Sequence, residues 1–301
     1  MEGVLLVLKP AGMTSHDVVA KMRRILKLKR IGHTGTLDPQ VTGVLPLCIG
    51  RATRIVEYIQ DQAKEYEAEM TIGYSTDTED WTGTVQQSAE DIVLEEAEVL
   101  KVLDSFTGEI QQIPPMYSAV KVNGKRLYEL ARTGEEIERK PRSVTIYSIQ
   151  MLNFDQSMPY PRLSFRVRCS KGTYIRTLCV DIGKALGYPA VMSALERVKT
   201  GPFSLTQSSS IEQIEQFLSQ GNLSDYLIPI DQALPQFPVH TLHENSQVEK
   251  QAVNGVGFSP EFIDPAPSGG LLRLYTYQHY FLGIYEFDPE QQLIIPQKVF
   301  H

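Results

Sequence analysis

Apolar residues near the start of the chain first form a continuous run and then recur at helical spacing. The run Val4–Leu8 ends at Lys9-Pro10, a pattern that predicts a buried strand followed by a turn. Ser15 then precedes residues that are apolar three and four positions apart, so we expect it to cap a helix with one buried face. The apolar positions of that helix are Val18, Val19, Met22, Ile25 and Leu26.

Strict alternation of apolar and polar residues predicts two half-buried strands. One is the segment YEAEMTIGY at residues 66–74, and the other is RLSFRVRC at residues 162–169, whose polar face carries three arginines. Residues 95–105 have a helical pattern, and residues 144–152 have a strand pattern. Because strands and helices do not alternate regularly, we predict an α+β fold with a mixed, largely antiparallel sheet flanked by helices and loops.

A proline-containing segment at residues 228–238 separates a long mixed region from a short β-rich region. The later runs LLRLYTY and HYFLGIYEF are divided by turn residues, which is typical of short strands. A length of 301 residues also fits about two domains. We therefore predict one domain over residues 1–237 and a small β-rich domain over residues 238–301, joined by a linker.

The composition is that of a folded globular chain, with 42% hydrophobic and 22% charged residues. No apolar run approaches the length of about 18 residues that a membrane span needs, and no leader pattern is present, so we expect a cytoplasmic protein. Cys48, Cys169 and Cys179 form no CxxC pair, which predicts buried free thiols. The six histidines are scattered, so the sequence gives no support to metal catalysis.

Charge is distributed unevenly along the chain. The net charge of −7 disfavours a nucleic-acid partner, but the segment Lys21–Arg30 contains six basic residues and no acidic one. Residues 61–110 contain fourteen acidic and two basic side chains, whereas residues 161–201 contain eight basic and two acidic ones. If the two basic regions meet on one surface, they can bind phosphates despite the acidic mean, and binding should weaken steeply with salt.

The segment GHTGTLDPQVTG at residues 32–43 is the strongest candidate for chemistry. Three glycines, a proline and hydroxyl side chains surround one carboxylate, Asp38, which predicts a loop that another chain can approach closely. No Gly-Lys-Ser/Thr follows, so this is not a phosphate-binding P-loop. From these residues alone, Asp38 could equally cap a backbone amide in an ordinary turn.

Two further segments carry candidate RNA-binding residues. In the segment CSKGTYIRT at residues 169–177, a strand turns at Gly172 and leads into a helix, and from these residues alone Arg176 could equally be a solvated residue of an ordinary turn. The segment PPMYSAVKVNGKRLYELARTG at residues 114–134 interleaves tyrosines with lysines and arginines. This pattern suits a single strand or loop of RNA better than a duplex groove.

These segments, in this order, resemble the TruB family of bacterial tRNA pseudouridine synthases, which modify uridine 55 in the T-loop. The resemblance covers residues 3–201 and includes VLLVLKPAGMTSHDVV, GHTGTLDP, KEYEAEMTIGYSTDTED, IQQIPPMYSAVKVNGKRLYELARTG and CSKGTYIRT, followed by SALERVKTGPF. It implies the pseudouridine-synthase fold, an isomerase that flips its target base out of the stack, and a PUA-like C-terminal domain. It also implies that neither a cofactor nor a metal is required.

The resemblance assigns roles to individual residues. Asp38 is the implied catalytic carboxylate, Arg176 pairs with it, and Tyr66 packs on the target base. The alternation pattern also allows Tyr66 to be a core residue. Substrate contacts are implied for His33, Tyr174, Leu195 and Lys9, and for Lys121, Lys125, Arg126 and Arg132 of a thumb-like insertion at about residues 120–142.

The implied partner is the T-loop and stem of tRNA, with no membrane and no protein partner, and we expect a monomer. The acidic C-terminal region, with three basic residues in 202–301, should contribute little phosphate binding. Two alternatives stay open. The chain could be a tRNA-binding folding chaperone in which catalysis is secondary, or a pseudouridine synthase that depends on a guide RNA.

Overall fold

A ten-stranded sheet forms the centre of the computed structural model, which describes residues 1–118, 120–122, 124–127, 130 and 137–300. Four of the implied RNA-binding residues are affected by this range. Arg132 lies outside the described residues, and so do the side chains of Lys121, Lys125 and Arg126.

The strands, in chain order, are β1 (Gly3–Lys9), β2 (Ile31–His33), β3 (Thr42–Ile49), β4 (Lys64–Ile72), β5 (Tyr74–Thr76), β6 (Val85–Ser88), β7 (Gly108–Gln112), β8 (Lys121–Val122), β9 (Lys125–Arg126), β10 (Arg142–Asp155), β11 (Arg162–Cys169), β12 (Ala190–Thr200), β13 (Phe203–Ser204), β14 (Leu227–Ile228), β15 (Val239–Leu242), β16 (Ile263–Asp264), β17 (Gly270–Tyr275), β18 (Phe281–Asp288) and β19 (Leu293–Val299). The described α-helices are α1 (Ser15–Leu26), α2 (Val56–Gln60), α3 (Glu96–Ser105), α4 (Ile175–Ala185), α5 (Ile211–Gln220) and α6 (Ser246–Val253).

The order of strands in the large sheet is β14-β1-β3-β12-β4-β11-β10-β7, with β2 paired to β3 and β13 paired to β12. Neighbouring strands are antiparallel except for β12 and β3, which run parallel. The prediction of an α+β fold with a mixed, largely antiparallel sheet is therefore confirmed. Apolar side chains of α1 and α5 pack on β1 and β3, whereas α3 and α4 cover the part of the sheet around β4 and β11.

Two boundaries differ from the sequence prediction. Thr14, not Ser15, caps α1, because the Thr14 hydroxyl accepts from the Asp17 N–H while the Asp17 carboxylate accepts from the Thr14 N–H. The alternation that begins at Tyr66 ends with β4 at Ile72, and Tyr74 belongs to the separate hairpin β5–β6. The buried positions of β11 alternate as predicted. The prediction for β4 is confirmed only in part, because Thr71 on the predicted polar face is buried and Tyr66 on the predicted apolar face is half-buried.

The arginine face of β11 is opposed by acidic residues of the neighbouring strand. Arg166 forms an ion pair with Glu67, and Arg162 lies 3.7 Å from Glu69. Arg168 lies over the ring of Tyr147, 5.6 Å from its centroid. Much of the positive charge predicted for this strand is therefore matched within the sheet, and α1 presents the more open basic surface.

A second sheet of five strands, in the order β16-β15-β17-β18-β19, occupies residues 239–299. The segment predicted as a linker is packed rather than exposed, because Ile230, Ala233 and Leu234 are buried. They join a cluster in which Ile284 and Phe300 of the C-terminal region contact apolar residues of β1, β3 and the helices that follow β3. Division of the chain at residues 237 and 238 stays a prediction.

The three cysteines are buried and free, as predicted. Burial raises the pKa of the Cys48 thiol to about 12 and that of Cys169 to about 11. Within the described part of the chain, no helix is long and apolar enough to cross a membrane.

Candidate active site

Asp38 lies in the loop that connects β2 to β3, between two buried apolar residues. Leu37 and Val41 anchor the loop in the core, and the Leu37 N–H also donates to the Ser15 hydroxyl at 2.9 Å. The Val41 N–H donates to the Asp38 carbonyl at 3.1 Å, which closes a tight turn around Pro39. The backbone is thus fixed on both sides, while the Asp38 side chain is 41% exposed.

Arg176, the second residue of α4, forms an ion pair with Asp38. Its Nε lies 3.0 Å from Asp38 Oδ2, and its side chain is 6% exposed. The other two nitrogens are also bonded, because Nη1 donates to the Thr78 carbonyl at 2.9 Å and Nη2 to the Tyr117 carbonyl at 2.8 Å. With Nε in the ion pair and both Nη atoms hydrogen-bonded to carbonyls, the arginine holds the carboxylate in one orientation.

Lys9 ties the backbone that follows Asp38 to the turn after β1. Its Nζ donates to the carbonyls of Pro10, Pro39 and Val41 at 2.9, 3.0 and 2.6 Å. A lysine has three N–H donors, so all of them are used on the protein itself. Burial lowers the pKa of Lys9 to about 8, and the charge of Asp38 opposes that shift.

Tyr66 and Arg197 are register partners on the adjacent strands β4 and β12. Arg197 is 1% exposed, and its Nε donates to the Val44 carbonyl at 2.9 Å. Burial raises the pKa of Tyr66 to about 12, and the charge and hydrogen bond of Arg197 oppose that shift only in part. The half-buried Tyr66 also packs against the main core, so it lies at the boundary between core and site.

Tyr174 and Leu195 are both half-buried. Tyr174 directly precedes α4, and its backbone N–H and carbonyl form hydrogen bonds of 2.8 and 3.0 Å with the side-chain amide of Gln112. Leu195 on β12 is half-buried against the core cluster that also contacts Tyr66. Gln112 therefore fixes the start of the helix that carries Arg176.

His33 ends β2 at the entrance to the Asp38 loop. The Gly35 N–H donates to its Nδ1 at 3.3 Å, and its ring contacts the edge of the His16 ring at a centroid distance of 5.1 Å. Burial lowers the pKa of His33 to about 4, and the nearby His16 and Arg197 act in the same direction. His33 is therefore neutral at physiological pH, with Nδ1 as an acceptor.

The lowered pKa of His33 predicts a loss of stability in acid. The unfolded chain binds a proton near pH 6.5 and the folded chain only near pH 4, so stability falls as the pH drops through this window. Because the ring is partly exposed, we expect wild type to lose about 1 kcal/mol more than His33→Asn between pH 7 and pH 5. Urea unfolding at both pH values measures this difference. The exposed His243→Asn is the matched control and should behave like wild type, and equal losses in wild type and His33→Asn would contradict the prediction.

Arg176 and Lys9 both contact the loop that carries Asp38, and His33 lies at the entrance to that loop. Sequence reasoning missed Arg197, Gln112 and the hydroxyl of Ser15, which all bond to the backbone at or near the site. Gly35 and Gly43 both lie against Arg197, and the presence of two glycines in one short segment is the sequence feature that could have indicated a bulky neighbour. Within the described residues, no group of three or more His, Cys, Asp or Glu side chains could hold a metal ion.

Comparison with known protein families gives two adjacent matches. The family model described as the N-terminal domain of TruB family pseudouridylate synthase matches residues 23–175. The model described as the C-terminal domain of tRNA pseudouridylate synthase B matches residues 176–235. Together they cover the Asp38 loop, Arg176 and the buried segment before the second sheet.

The chain is also similar to curated proteins and solved structures over nearly its whole length. A tRNA pseudouridine synthase B of Halalkalibacterium halodurans is 47% identical and covers 99% of this chain and 97% of the relative. One from Geobacillus thermodenitrificans is 46% identical over 100% of both chains. Among solved structures, a Cbf5-Nop10-Gar1 complex matches with a TM-score of 0.76 at 27% identity, over 99% of this chain and 85% of the matched chain. An H/ACA RNP bound to a substrate RNA containing 2'-deoxyuridine matches with a TM-score of 0.74 at 25% identity, with the same coverage.

Proposed function

The chain belongs to the TruB family of pseudouridylate synthases, and we propose that it converts uridine 55 in the T-loop of tRNA to pseudouridine, with Asp38 as the catalytic carboxylate. The single observation that carries the catalytic assignment is the ion pair between Asp38 and Arg176. It holds an accessible carboxylate on an anchored loop, as a nucleophile requires.

The reaction is an isomerisation in which atoms and electrons balance within the substrate. The bond between N1 of uracil and C1′ of ribose breaks, and a bond between C5 and C1′ forms. C5 loses a proton and N1 ends with one, so no oxidant or reductant takes part. A carboxylate that attacks the sugar or the base can carry the uracil through its rotation, and this chemistry requires neither a cofactor nor a metal.

The surrounding residues supply orientation and a surface for the extruded base. Arg176 aims the Asp38 carboxylate, because its own position is fixed by two carbonyl oxygens. The half-buried side chains of Tyr66, Tyr174 and Leu195 offer apolar area to an unstacked uracil. Contact with such a surface recovers part of the few kcal/mol of stacking lost when a base is flipped out.

For Lys9 we propose positioning of the loop rather than contact with the substrate. Its three N–H groups are bonded to the carbonyls of Pro10, Pro39 and Val41, so no donor is left for a phosphate or a base. Lys9 therefore stabilises the backbone of the loop that carries Asp38.

Release of tritium from C5 of uridine in an unmodified tRNA transcript tests the proposed function. We expect release from the wild-type transcript and none from a transcript in which cytidine replaces uridine 55. Binding without release would favour the folding chaperone. Activity only after addition of a guide RNA would favour the guide-dependent synthase, and release that survives loss of uridine 55 would show that the target position is wrong.

The charge distribution predicts which lysines and arginines bind phosphate. Affinity for tRNA should fall steeply with salt, and Arg24→Ala on the exposed face of α1 should reduce the slope of log affinity against log salt by about 1. Lys9→Met should leave that slope unchanged and lower turnover by about tenfold, because it removes only the support of the loop. Filter binding at several salt concentrations measures the slope for both variants, and tritium release measures turnover. A reduced slope in Lys9→Met would contradict the positioning role.

We further propose that the enzyme acts in the cytoplasm as a monomer without a protein partner. The solved relatives include complexes titled with other protein chains, Nop10 and Gar1. Here the exposed basic residues of α1 offer the chain an RNA-binding surface of its own. We expect the purified protein to be fully active on bare tRNA. Its sedimentation coefficient should be that of a single chain.

A further inference from the structure

The loop between β5 and β6, residues 77–84, meets the start of α4 through two consecutive pairs of residues. The Thr78 carbonyl accepts from Arg176 Nη1 at 2.9 Å. One position further along both segments, the Thr177 hydroxyl donates to Glu79 Oε2 at 2.7 Å. Neighbouring residues of the loop therefore hold neighbouring residues of the helix, and one of these helix residues is Arg176.

Glu79 adopts a backbone conformation that is unusual for its residue type. Its φ is +64°, in the left-handed region, which costs a residue with a side chain about 1 kcal/mol. The loop is held in this conformation from β12, since the Met192 N–H donates to the Glu79 carbonyl and the Trp81 N–H donates to the Met192 carbonyl, both at 3.1 Å. Such a conformation persists only where surrounding contacts determine it.

The side chain of Glu79 is also partly buried. Burial raises its pKa, whereas the hydrogen bond from Thr177 and the charge of Arg176 lower it. Thr177 is 4% exposed, so its hydroxyl has little access to solvent as an alternative partner. A half-buried carboxylate and a buried hydroxyl that satisfy each other make a specific contact, because the loss of either leaves the other without its partner.

We propose that Glu79 is a positioning residue for Arg176, acting through its contact with Thr177 to keep the Thr78 carbonyl on the guanidinium group. This inference rests on the proposed function, in which Arg176 aims Asp38. When Nη1 keeps its carbonyl partner, the guanidinium group cannot rotate, and Nε continues to face Asp38. Without the Glu79 contact, the loop can withdraw Thr78 and the arginine gains freedom to turn away from the carboxylate.

Glu79→Gly separates this role from a purely local role in the turn. Glycine adopts a φ of +64° without strain, so a residue that only shaped the loop backbone could be replaced by glycine without loss. We expect Glu79→Gly and Thr177→Val each to lower kcat by about tenfold, with KM for tRNA changed less than about twofold. Thr177→Ser, which keeps the hydroxyl, should retain wild-type kcat. Because both single variants break the same contact, the double variant should lose no more than either one.

Asp91→Gly is the matched control. Asp91 is also acidic with positive φ, 53°, but it is exposed and lies beyond the hairpin. It should leave kcat and KM unchanged. Wild-type kcat in Glu79→Gly, or equal losses in Thr177→Ser and Thr177→Val, would overturn the proposal.

A second readout does not depend on turnover. In wild type, the Nε–H of Arg176 should give a slowly exchanging ¹H–¹⁵N signal, assigned by its absence from Arg176→Lys. We expect this signal to exchange faster in Glu79→Gly and to persist in Asp91→Gly, and persistence in both would overturn the proposal. If wild type released no tritium from C5, the proposed function would fail while this test of the Arg176 geometry would still give an answer.

Discussion

Asp38→Asn should lower the rate of pseudouridine formation by about 10⁴-fold, equivalent to about 5.5 kcal/mol of transition-state stabilisation. An amide of the same shape is a very poor nucleophile, and it cannot form the ion pair with Arg176. Affinity for tRNA should change by less than about threefold, because Asp38 contributes no attraction to phosphates. Single-turnover tritium release and filter binding on the same preparation measure the two quantities.

Folding and surface charge need controls in this experiment. Arg176 keeps its two carbonyl partners in Asp38→Asn, so the variant should remain folded with a modest loss of thermal stability. Asp61→Asn removes an exposed ion pair with Lys171, at 2.7 Å, and should have wild-type turnover. Near-normal turnover in Asp38→Asn would refute the nucleophile assignment, and a parallel loss of tRNA binding would point to a role in the fold.

Gly43→Ala should destabilise the fold by about 3 kcal/mol, the combined cost of overpacking and of a strained backbone. Gly43 lies on β3 where the parallel pairing with β12 begins, opposite Arg197. A Cβ at this position would lie 2.3 Å from the Arg197 carbonyl oxygen and 2.5 Å from its nitrogen, and the φ of +122° disfavours a side chain. Strand β12 must therefore move away from β3.

Gly187→Ala distinguishes these two causes. Gly187 also has positive φ, 83°, but a Cβ there would have no neighbour within 4 Å, so we expect a cost of only about 1 kcal/mol. Urea unfolding of both variants gives the comparison. Equal costs would show that the approach of the two strands contributes nothing at Gly43.

The sequence predicted the strands and helices best where burial has a clear period. Leu163, Phe165 and Val167 alternate in sequence and are buried in the structure, because one face of β11 packs on helices. The linker prediction gave no indication of burial, since prolines marked the segment as irregular, whereas Ile230 and Leu234 are core residues. An irregular backbone and a buried side chain are compatible, and only the tertiary contacts show both.

The catalytic role of Asp38 was predicted by resemblance and stays a prediction, because local chemistry alone could not separate a catalytic carboxylate from a turn cap. The roles assigned to Tyr66, His33 and Tyr174 stay predictions. Arg197 and Gln112 escaped prediction for a physical reason: each satisfies main-chain carbonyls or amides of a distant segment, and no sequence pattern records where those backbone groups lie. The contact of Glu79 with Thr177 joins two side chains that lie far apart in the sequence, and no local pattern records it either.

The apolar cluster shared by the two sheets has a consequence for how the protein is made. Val4 and Leu6 of the first strand lie in one cluster with Ile284 and with Phe300, the last described residue. On the ribosome, the first strand and its neighbour β3 emerge long before Ile284 and Phe300 exist, although domains generally fold as they are synthesised. The cluster can close only when nearly the whole chain has been released, so a nascent chain that stalls before residue 284 exposes apolar surface of β1 to chaperones and proteases.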